Sequence, residues 1–588
     1  MVSKKIEVNM INLKNKTSNK SKSLYLTGMW TFFICIIFIP QSVFSQKQKK
    51  PNIIVILTDD MGFSDIGCFG SEIKTPNIDK LAANGLSFTH FYNTAICSPS
   101  RASLLTGLYP HQAGMGHLST ENFNEPGYND DLSKNAVTMA EVFQQAGYAT
   151  YMTGKWHLAK SMTMEGDKSN WPCQRGFQRY FGTLNGSGSY YDPGTLISNN
   201  TFITPTKDFY YTNAITDTAI KFINENPTEK PFFFYIAYTA AHWPLHAPDS
   251  VVQKYKGMYD KGWDAIRQQR FEKLKKLGII SNNTVLTQRG VEIPEWKDEP
   301  MKPWQARKME VYAAMIDIID QGIGKIISVL DQKGELENTI IFYMHDNGGC
   351  AEPLDSDQPE KMLTEDQKKI KPYSYDSIFA GKKPVYTRTG EFIRSGKGVQ
   401  PGNANTWVTY GIEWANVSNT PFSMYKHWTH EGGIATPLII HWPKGINVKG
   451  QLRNQPGHLI DIMATCIDIA EIKYPTQFNG KNIQPFEGKS LLPAFANKPI
   501  KRDFIFWEHE GNRAIRVGKW KLVSKVHKNK SFTEADENNW ELYDMENDPS
   551  ETKNLAVQFP EKVKELSGLW EKEALRTKAK PWPWTITK

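Results

Sequence analysis

Cysteine is scarce in this sequence, with six in 588 residues. Cys35 falls in an N-terminal apolar run, and Cys68, Cys97, Cys173, Cys350 and Cys466 are scattered without any CxxC spacing. That pattern argues against both a disulfide framework and a zinc cluster. An odd count of five fits one chemically special cysteine, and fits a stray buried thiol as cheaply. Internal repeats are also lacking, and so is a strong charge of one sign. The formal charge of +8 includes six leader lysines and Glu7, so the remainder carries +3 (8 − 5), too little to argue for a nucleic acid partner. Long apolar runs are absent except for Leu24 to Pro40, which follows Lys4, Lys5, Lys14, Lys16, Lys20 and Lys22. This is the layout of a secretory signal covering residues 1–45, cut before Gln46, with Val43 and Ser45 at the minus-three and minus-one positions. An uncleaved anchor is the alternative, since Leu24 to Phe44 comes close to the ~20 residues that span a bilayer. Thr27, Gly28, Pro40, Gln41 and Ser42 weaken that span, so no stable membrane insertion is expected. Cys35 lies inside the run rather than at its end, which disfavours a lipoprotein. The expected location is periplasmic or secreted.

What is present is ample core material. A content of 40% hydrophobic and 12% aromatic residues excludes disorder, collagen-like and coiled-coil classes for most of the chain. The run PNIIVIL is short and β-branched and ends in Thr58, Asp59 and Asp60, so it reads as a buried strand with two carboxylates at its C-terminal end. The grammar recurs: ATYMTG precedes Lys155 and His157, PFFFYIAY precedes His242, and NTIIFYMH precedes Asp346 and Asn347. Helical stretches at Asn77 to Asn84, Ala136 to Ala146, Asn213 to Asn226 and about Ala306 to Lys333 separate them. Alternating strands and helices predict an α/β fold with a large, mostly parallel sheet between helical layers. Ligands of such sheets sit outside the carboxyl ends of the strands, where all four polar clusters fall. Residues 254–304, rich in Lys, Glu and Gln, read as a surface excursion, and 352–420, dense in Gly, Pro, Ser and Asn, as loops over a site. The amphipathic stretch 459–472 closes a large domain spanning 46–474. Beyond it, DFIFWEHEG, AIRVGKWKLVS and WELYDME alternate like antiparallel strands, followed by a helix over about 560–575. A smaller antiparallel-sheet α+β domain is therefore expected over 475–588.

Asp59, Asp60, Asp346 and Asn347 are hard oxygen ligands with no accompanying thiolate or HxxxH pair, which suits Ca²⁺ or Mg²⁺ better than Zn²⁺. DD and DN pairs are common in turns and caps, so neither is specific alone. Lys155 and His157, two apart in an extended segment, can project to one side. Trp243 and Trp428 flank His242 and Lys426 and could stack a ring, although buried aromatics are the commoner explanation.

The segment CSPSRASLLTG, with Cys97, Pro99, Arg101, Thr106 and Gly107, matches the signature of type I formylglycine-dependent sulfatases. The blocks PNIIVILTDDMGFSDIGCFG, GKWHLAK, AAHWPLHAP, HDNGGCAE, YKHWTHEGGIATP and LYDMENDPSETKNLA also resemble blocks of that family, in order, over about residues 51–556. The sequence thus resembles the arylsulfatase branch of the alkaline phosphatase-like superfamily. The resemblance implies that a maturation enzyme oxidises Cys97 to formylglycine (3-oxoalanine), which hydrates to a diol: one oxygen attacks sulfur and the other later expels sulfate. It implies one Ca²⁺ ion held by Asp59, Asp60, residue 97, Asp346 and Asn347, with Asp346 accepting the first proton. It assigns Arg101 to the diol, Lys155 to sulfate, His157 to collapse of the sulfated hydrate, and His242 with Lys426 to protonation of the leaving oxygen, a step worth roughly 10²–10⁴ in rate. His246, His427 and His430 have less defined roles, His246 being a substrate-pocket group or a structural one. Ala241 stands where relatives often carry proline. A sulfated carbohydrate or an aryl sulfate is the implied substrate. A phosphate or phosphonate monoester hydrolase of the same superfamily and a catalytically silent sulfated-glycan-binding protein are the alternatives.

Overall fold

The computed structural model describes residues 49–353, 363–526 and 539–583. The signal segment and its cut site lie outside the described residues. One large sheet is built from β1 (Asn52–Thr58), β2 (Leu86–Tyr92), β3 (Ala149–Lys155), β4 (Arg179–Thr183), β5 (Leu196–Ser198), β6 (Thr201–Phe202), β7 (Phe232–Ala237), β8 (Thr339–His345), β9 (Ala435–His441), β10 (Gln451–Arg453) and β11 (Gly457–His458). Its order is β10-β2-β9-β8-β1-β7-β3-β4-β5-β6, with β11 also on β2. The centre, β8-β1-β7-β3, is parallel, and β9 runs antiparallel between β8 and β2. The sheet is mixed and mostly parallel, as expected.

The central strands are apolar without alternation because both faces are covered. Ile54, Ile56, Phe234 and Ile341 face a core with the helices Pro76–Ala83, Tyr211–Glu225 and Lys302–Gln332. Ile53, Val55, Leu57 and Phe233 face the other, with Cys97–Thr106, Met139–Gln145 and Ile460–Ile469. Local chemistry sets the boundaries. The longest helix begins at Lys302, a turn before the expected Ala306, with Pro303 preorganising its first turn. The Met139 helix begins three residues late because Thr138 and Glu141 form a reciprocal capping box.

The stretch 254–304 departs from the surface reading. Its helix Gly262–Lys276 buries Trp263, Ile266, Phe271 and Leu274, and Arg270 pairs with Asp65 at 2.6 Å and Glu72 at 2.8 Å. Most lysines and glutamates there are exposed, but Arg267 and Arg270 are internal partners, which composition does not reveal.

A second, antiparallel sheet runs β14 (Ile505–His509), β15 (Asn512–Val517), β16 (Trp520–Ser524) and β17 (Glu541–Asp544), after a short hairpin of β12 (Gln477–Phe478) and β13 (Lys481–Asn482). The helix Pro560–Thr577 covers it, with Trp570 stacked on Phe506 at 5.6 Å. This sheet docks on the large one: Trp507 donates its indole N–H to the Asn93 carbonyl at 2.9 Å, and Lys521 lies between Glu431 and Glu551 at 2.7 Å each.

Candidate functional site

The parallel strands end together, and their last residues meet. β1 delivers Asp59 and Asp60, β8 delivers Asp346 and Asn347, β3 ends on Lys155, and the loop after β7 carries His242. The loop after β2 leads into a fully buried helix that begins at Cys97, so the thiol stands at a helix N-terminus, where backbone N–H groups favour anions. Lys426 enters from the segment before β9. Thus Asp59, Asp60, Lys155, His157, His242, Asp346, Asn347 and Lys426 converge with Cys97 and Arg101, and all are buried.

Arg101, one turn beyond Cys97, donates to Asp346 at 2.7 Å, to Asp59 at 3.2 Å and to the Lys155 carbonyl at 3.1 Å. Lys155 Nζ lies 2.5 Å from Asp59. Asp60, in the left-handed region at φ 56°, receives Asn347 Nδ2 at 2.7 Å, Lys426 Nζ at 3.1 Å and His242 Nε2 at 3.4 Å. His157, also left-handed at φ 56°, places Nδ1 3.4 Å from Cys97 Sγ. His242 donates Nδ1–H to the Trp243 carbonyl at 2.7 Å, which leaves Nε2 facing the site.

The electrostatics are those of a dry, charge-dense cradle. Burial and the neighbouring Asp346 lift Asp59 to about 7, against Lys155 and Arg101. Burial alone would raise Asp60 too, but His242 and Lys426 outweigh it and hold it at about 2. Burial and then Lys155 push His157 well below the usual imidazole range, and burial holds His242 at about 3. The Cys97 thiol is raised by burial, so the unmodified side chain is protonated and a poor nucleophile. Among the described residues, Asp59 Oδ1 and Asn347 Oδ1 are buried without a hydrogen-bond partner. Two orphaned oxygens, one on the Asp59 carboxylate that is itself lifted to about 7, fit a hard cation there. Asp59, Asp60 and His242 themselves bring three donor atoms within 4.8 Å of one another.

The less defined residues separate clearly. His246 is fully buried, with Nε2 2.7 Å from the Thr406 carbonyl and Nδ1 accepting from the Tyr190 N–H at 3.4 Å, a structural arrangement. His430 contacts Glu541 at 3.3 Å on the C-terminal sheet. His427 reaches Glu352 at 2.9 Å. Trp243 does border the site, donating to Glu352 at 3.1 Å beneath the Lys382 ammonium, 4.5 Å from its ring. Trp428 packs on the core. Sequence reasoning missed Glu352 and Lys382. Glu352 stood inside HDNGGCAE, five residues beyond Asn347, whereas Lys382 comes from a loop with no sequence signal. A cavity of about 790 Å³, bordered by His90, Lys275, Arg502 and Arg516, contains none of these candidate residues.

Comparison with known proteins gives the family. The sulfatase family matches residues 51–472, and the family described as N-sulphoglucosamine sulphohydrolase, C-terminal, matches 422–577. An uncharacterized sulfatase of Schizosaccharomyces pombe is 34% identical over 554 residues, 89% of this chain and 93% of that protein. An arylsulfatase of Klebsiella aerogenes is 34% identical over 463 residues, 76% of this chain and 92% of that protein. The crystal structure of Ps i-CgsB superposes with a TM-score of 0.60 at 24% identity, covering 91% of this chain and 98% of that one, a likeness of fold. With one family matching from β1 through the helix Ile460–Ile469 and identity sustained over 89% of its length, the chain belongs to the sulfatase family and is a sulfuric ester hydrolase of the alkaline phosphatase-like superfamily.

Proposed function

We propose that this protein is an exported sulfatase that removes sulfate from a sulfated polysaccharide or oligosaccharide, using formylglycine at position 97 and one Ca²⁺ ion. The observation that carries the reading is the position of Cys97: at the N-terminus of a buried helix, 3.4 Å from His157, with Arg101 bridging Asp59 and Asp346 one turn away. The glycan preference draws on relatives. An N-acetylglucosamine-6-O-sulfatase of Bacteroides thetaiotaomicron is 26% identical over 584 residues, 90% of this chain and 86% of that protein. Export rests on the leader at residues 1–45.

Asp59, Asp60, Asp346, Asn347 and residue 97 would hold the ion. When present, Ca²⁺ would supply positive charge for the anionic substrate, and the aldehyde, once it has added water, would supply a hydroxyl of its hydrate as the nucleophile. The chain's own residues do the rest. Lys155 and Lys426 hold sulfate from two sides with their ammonium groups, inside a site whose burial strengthens each contact. Arg101 fixes Asp59 and Asp346 and orients residue 97. Asp346 accepts the first proton. His242 Nε2, with Lys426, moves a proton to the leaving oxygen, a service worth roughly 10²–10⁴ for a sugar hydroxyl. His157 Nδ1 takes the proton whose removal releases sulfate.

Mass spectrometry of the peptide containing residue 97 tests the modification: the aldehyde form is about 18 Da lighter than the cysteine form. Active protein bearing only the thiol sinks the mechanism. Parallel turnover of an aryl sulfate and an aryl phosphonate tests the chemistry, since far faster phosphonate cleavage would overturn the sulfatase preference. Desulfation of defined sulfated oligosaccharides tests the substrate class, and cleavage of aryl sulfates alone would remove the glycan assignment.

A further inference from the structure

Beside the strand-end cradle lies a second convergence of donor atoms that the sulfatase chemistry does not use. We propose that His117, His509 and Glu510 form a separate binding site for a zinc-class divalent cation, with His427 at its edge. The donor atoms of the three residues lie within 4.8 Å of one another. His117 Nε2 is 3.0 Å from Glu510 Oε1, and His427 Nδ1 is 3.4 Å from both Glu510 Oε2 and His509 Nε2. A tetrahedral zinc site with bonds of about 2.0–2.1 Å has neighbouring ligand atoms about 3.3 Å apart, so little movement would close this shell.

Further features match a metal centre. One imidazole is oriented by a carboxylate, His427 Nε2 contacting Glu352 at 2.9 Å, the arrangement that fixes ring orientation and raises ligand basicity. His509 is fully buried, so its ring is held in place by packing. Glu510 keeps 29% of its side chain exposed, leaving an entry path. Glu510 also sits at φ 50° before Gly511 at φ 78°, in the two-residue turn joining β14 and β15, a place that favours Asn, Asp or Gly. A glutamate held there is explained by what its carboxylate reaches.

Two imidazoles and a carboxylate suit zinc, while the oxygen set at Asp59, Asp60, Asp346 and Asn347 suits calcium. The ion would tie the His117 loop, whose Ser119 N–H reaches Ser98 Oγ at 3.4 Å, to the β14–β15 turn beside Lys426 and His427.

The test uses the full-length Cys97→Ser protein, so that neither turnover nor the thiol at 97 enters the result. Zn²⁺ is added, excess is removed by dialysis, and bound zinc is counted by elemental analysis; Co²⁺ in its place reports tetrahedral geometry by its visible absorption. One zinc per chain is expected, with at least a tenfold loss of affinity in His117→Gln, His509→Gln and Glu510→Gln and unchanged calcium content. Should His509→Gln fail to fold, the partly exposed Glu510→Gln decides. Absence of stoichiometric zinc, or equal retention in the folded variants, overturns the proposal.

Discussion

In the large sheet, parallel strands carry buried charges to one end, where Arg101, Lys155 and Lys426 meet Asp59, Asp60 and Asp346 in ion pairs of the candidate reaction centre. In the C-terminal sheet, antiparallel strands present charges sideways, and the buried cation Lys521 meets Glu431 and Glu551 only to hold two sheets together. The two nests are alike in burial and distance but differ in what their geometry leaves open. The first gathers carboxylates, an amide, cations and a candidate nucleophile from several strand ends, whereas Lys521 is flanked by carboxylates on both sides. Buried ion pairs are thus no sign of a site by themselves; their convergence with a candidate nucleophile at strand ends is.

That contrast breaks most sharply at position 97. Cys97→Ala should lower aryl sulfate turnover by at least about 10³-fold while the melting temperature moves only a few degrees, because the side chain supplies chemistry rather than core volume. Retained turnover would remove residue 97 from the mechanism. His242→Asn should slow release of a sugar hydroxyl by roughly 10²–10⁴ and of a good aryl leaving group far less, since only the poor leaving group needs the proton. Equal losses on both substrates would make His242 a binding group.

Stability separates the nests next. Lys521→Met strands two buried carboxylates and should cost about 3–5 kcal/mol by chemical denaturation, with turnover per folded molecule nearly unchanged. Arg101→Met should cost a similar amount and abolish turnover as well, so the pair of variants shows which nest is structural. The smallest effect concerns pH. Burial opposes ionisation of Glu541, but the hydrogen bond and charge of His430, the Tyr543 hydroxyl and Lys525 together outweigh it and hold the carboxyl at about 2, below its usual 4.5. A depressed carboxyl contributes stability above pH 4.5 and loses it as pH falls through about 2. Glu541→Gln should therefore narrow the stability difference between pH 5 and pH 3, measured as denaturation midpoints. An unchanged difference would mean that the pair is not formed in solution.

Much of this was legible in the chain. Both-face burial of NIIVILT, FFFYIA and TIIFYMH showed in uninterrupted apolar runs, and the polar residues following each run sit where parallel strands place ligands. The alternation in DFIFWEHEG and AIRVGKWKLVS likewise foretold β14 to β16. Less legible was the helix Gly262–Lys276, because lysine and glutamate spacing looks the same whether the other face is buried or bare. His246 had the residue type of a ligand and became a packing group only when Thr406 and Tyr190 closed around it.

The strand-and-helix order, the residues at each strand end and the CSPSR segment around residue 97 are written in the chain, because they depend on local periodicity and short motifs. Folding in three dimensions brings Glu352 and Lys382 to the border of the same cradle and joins His117 to His509 and Glu510, 392 and 393 positions apart (509 − 117 and 510 − 117). Contacts at such separations are set by how the two sheets pack, and no local pattern in the chain encodes them.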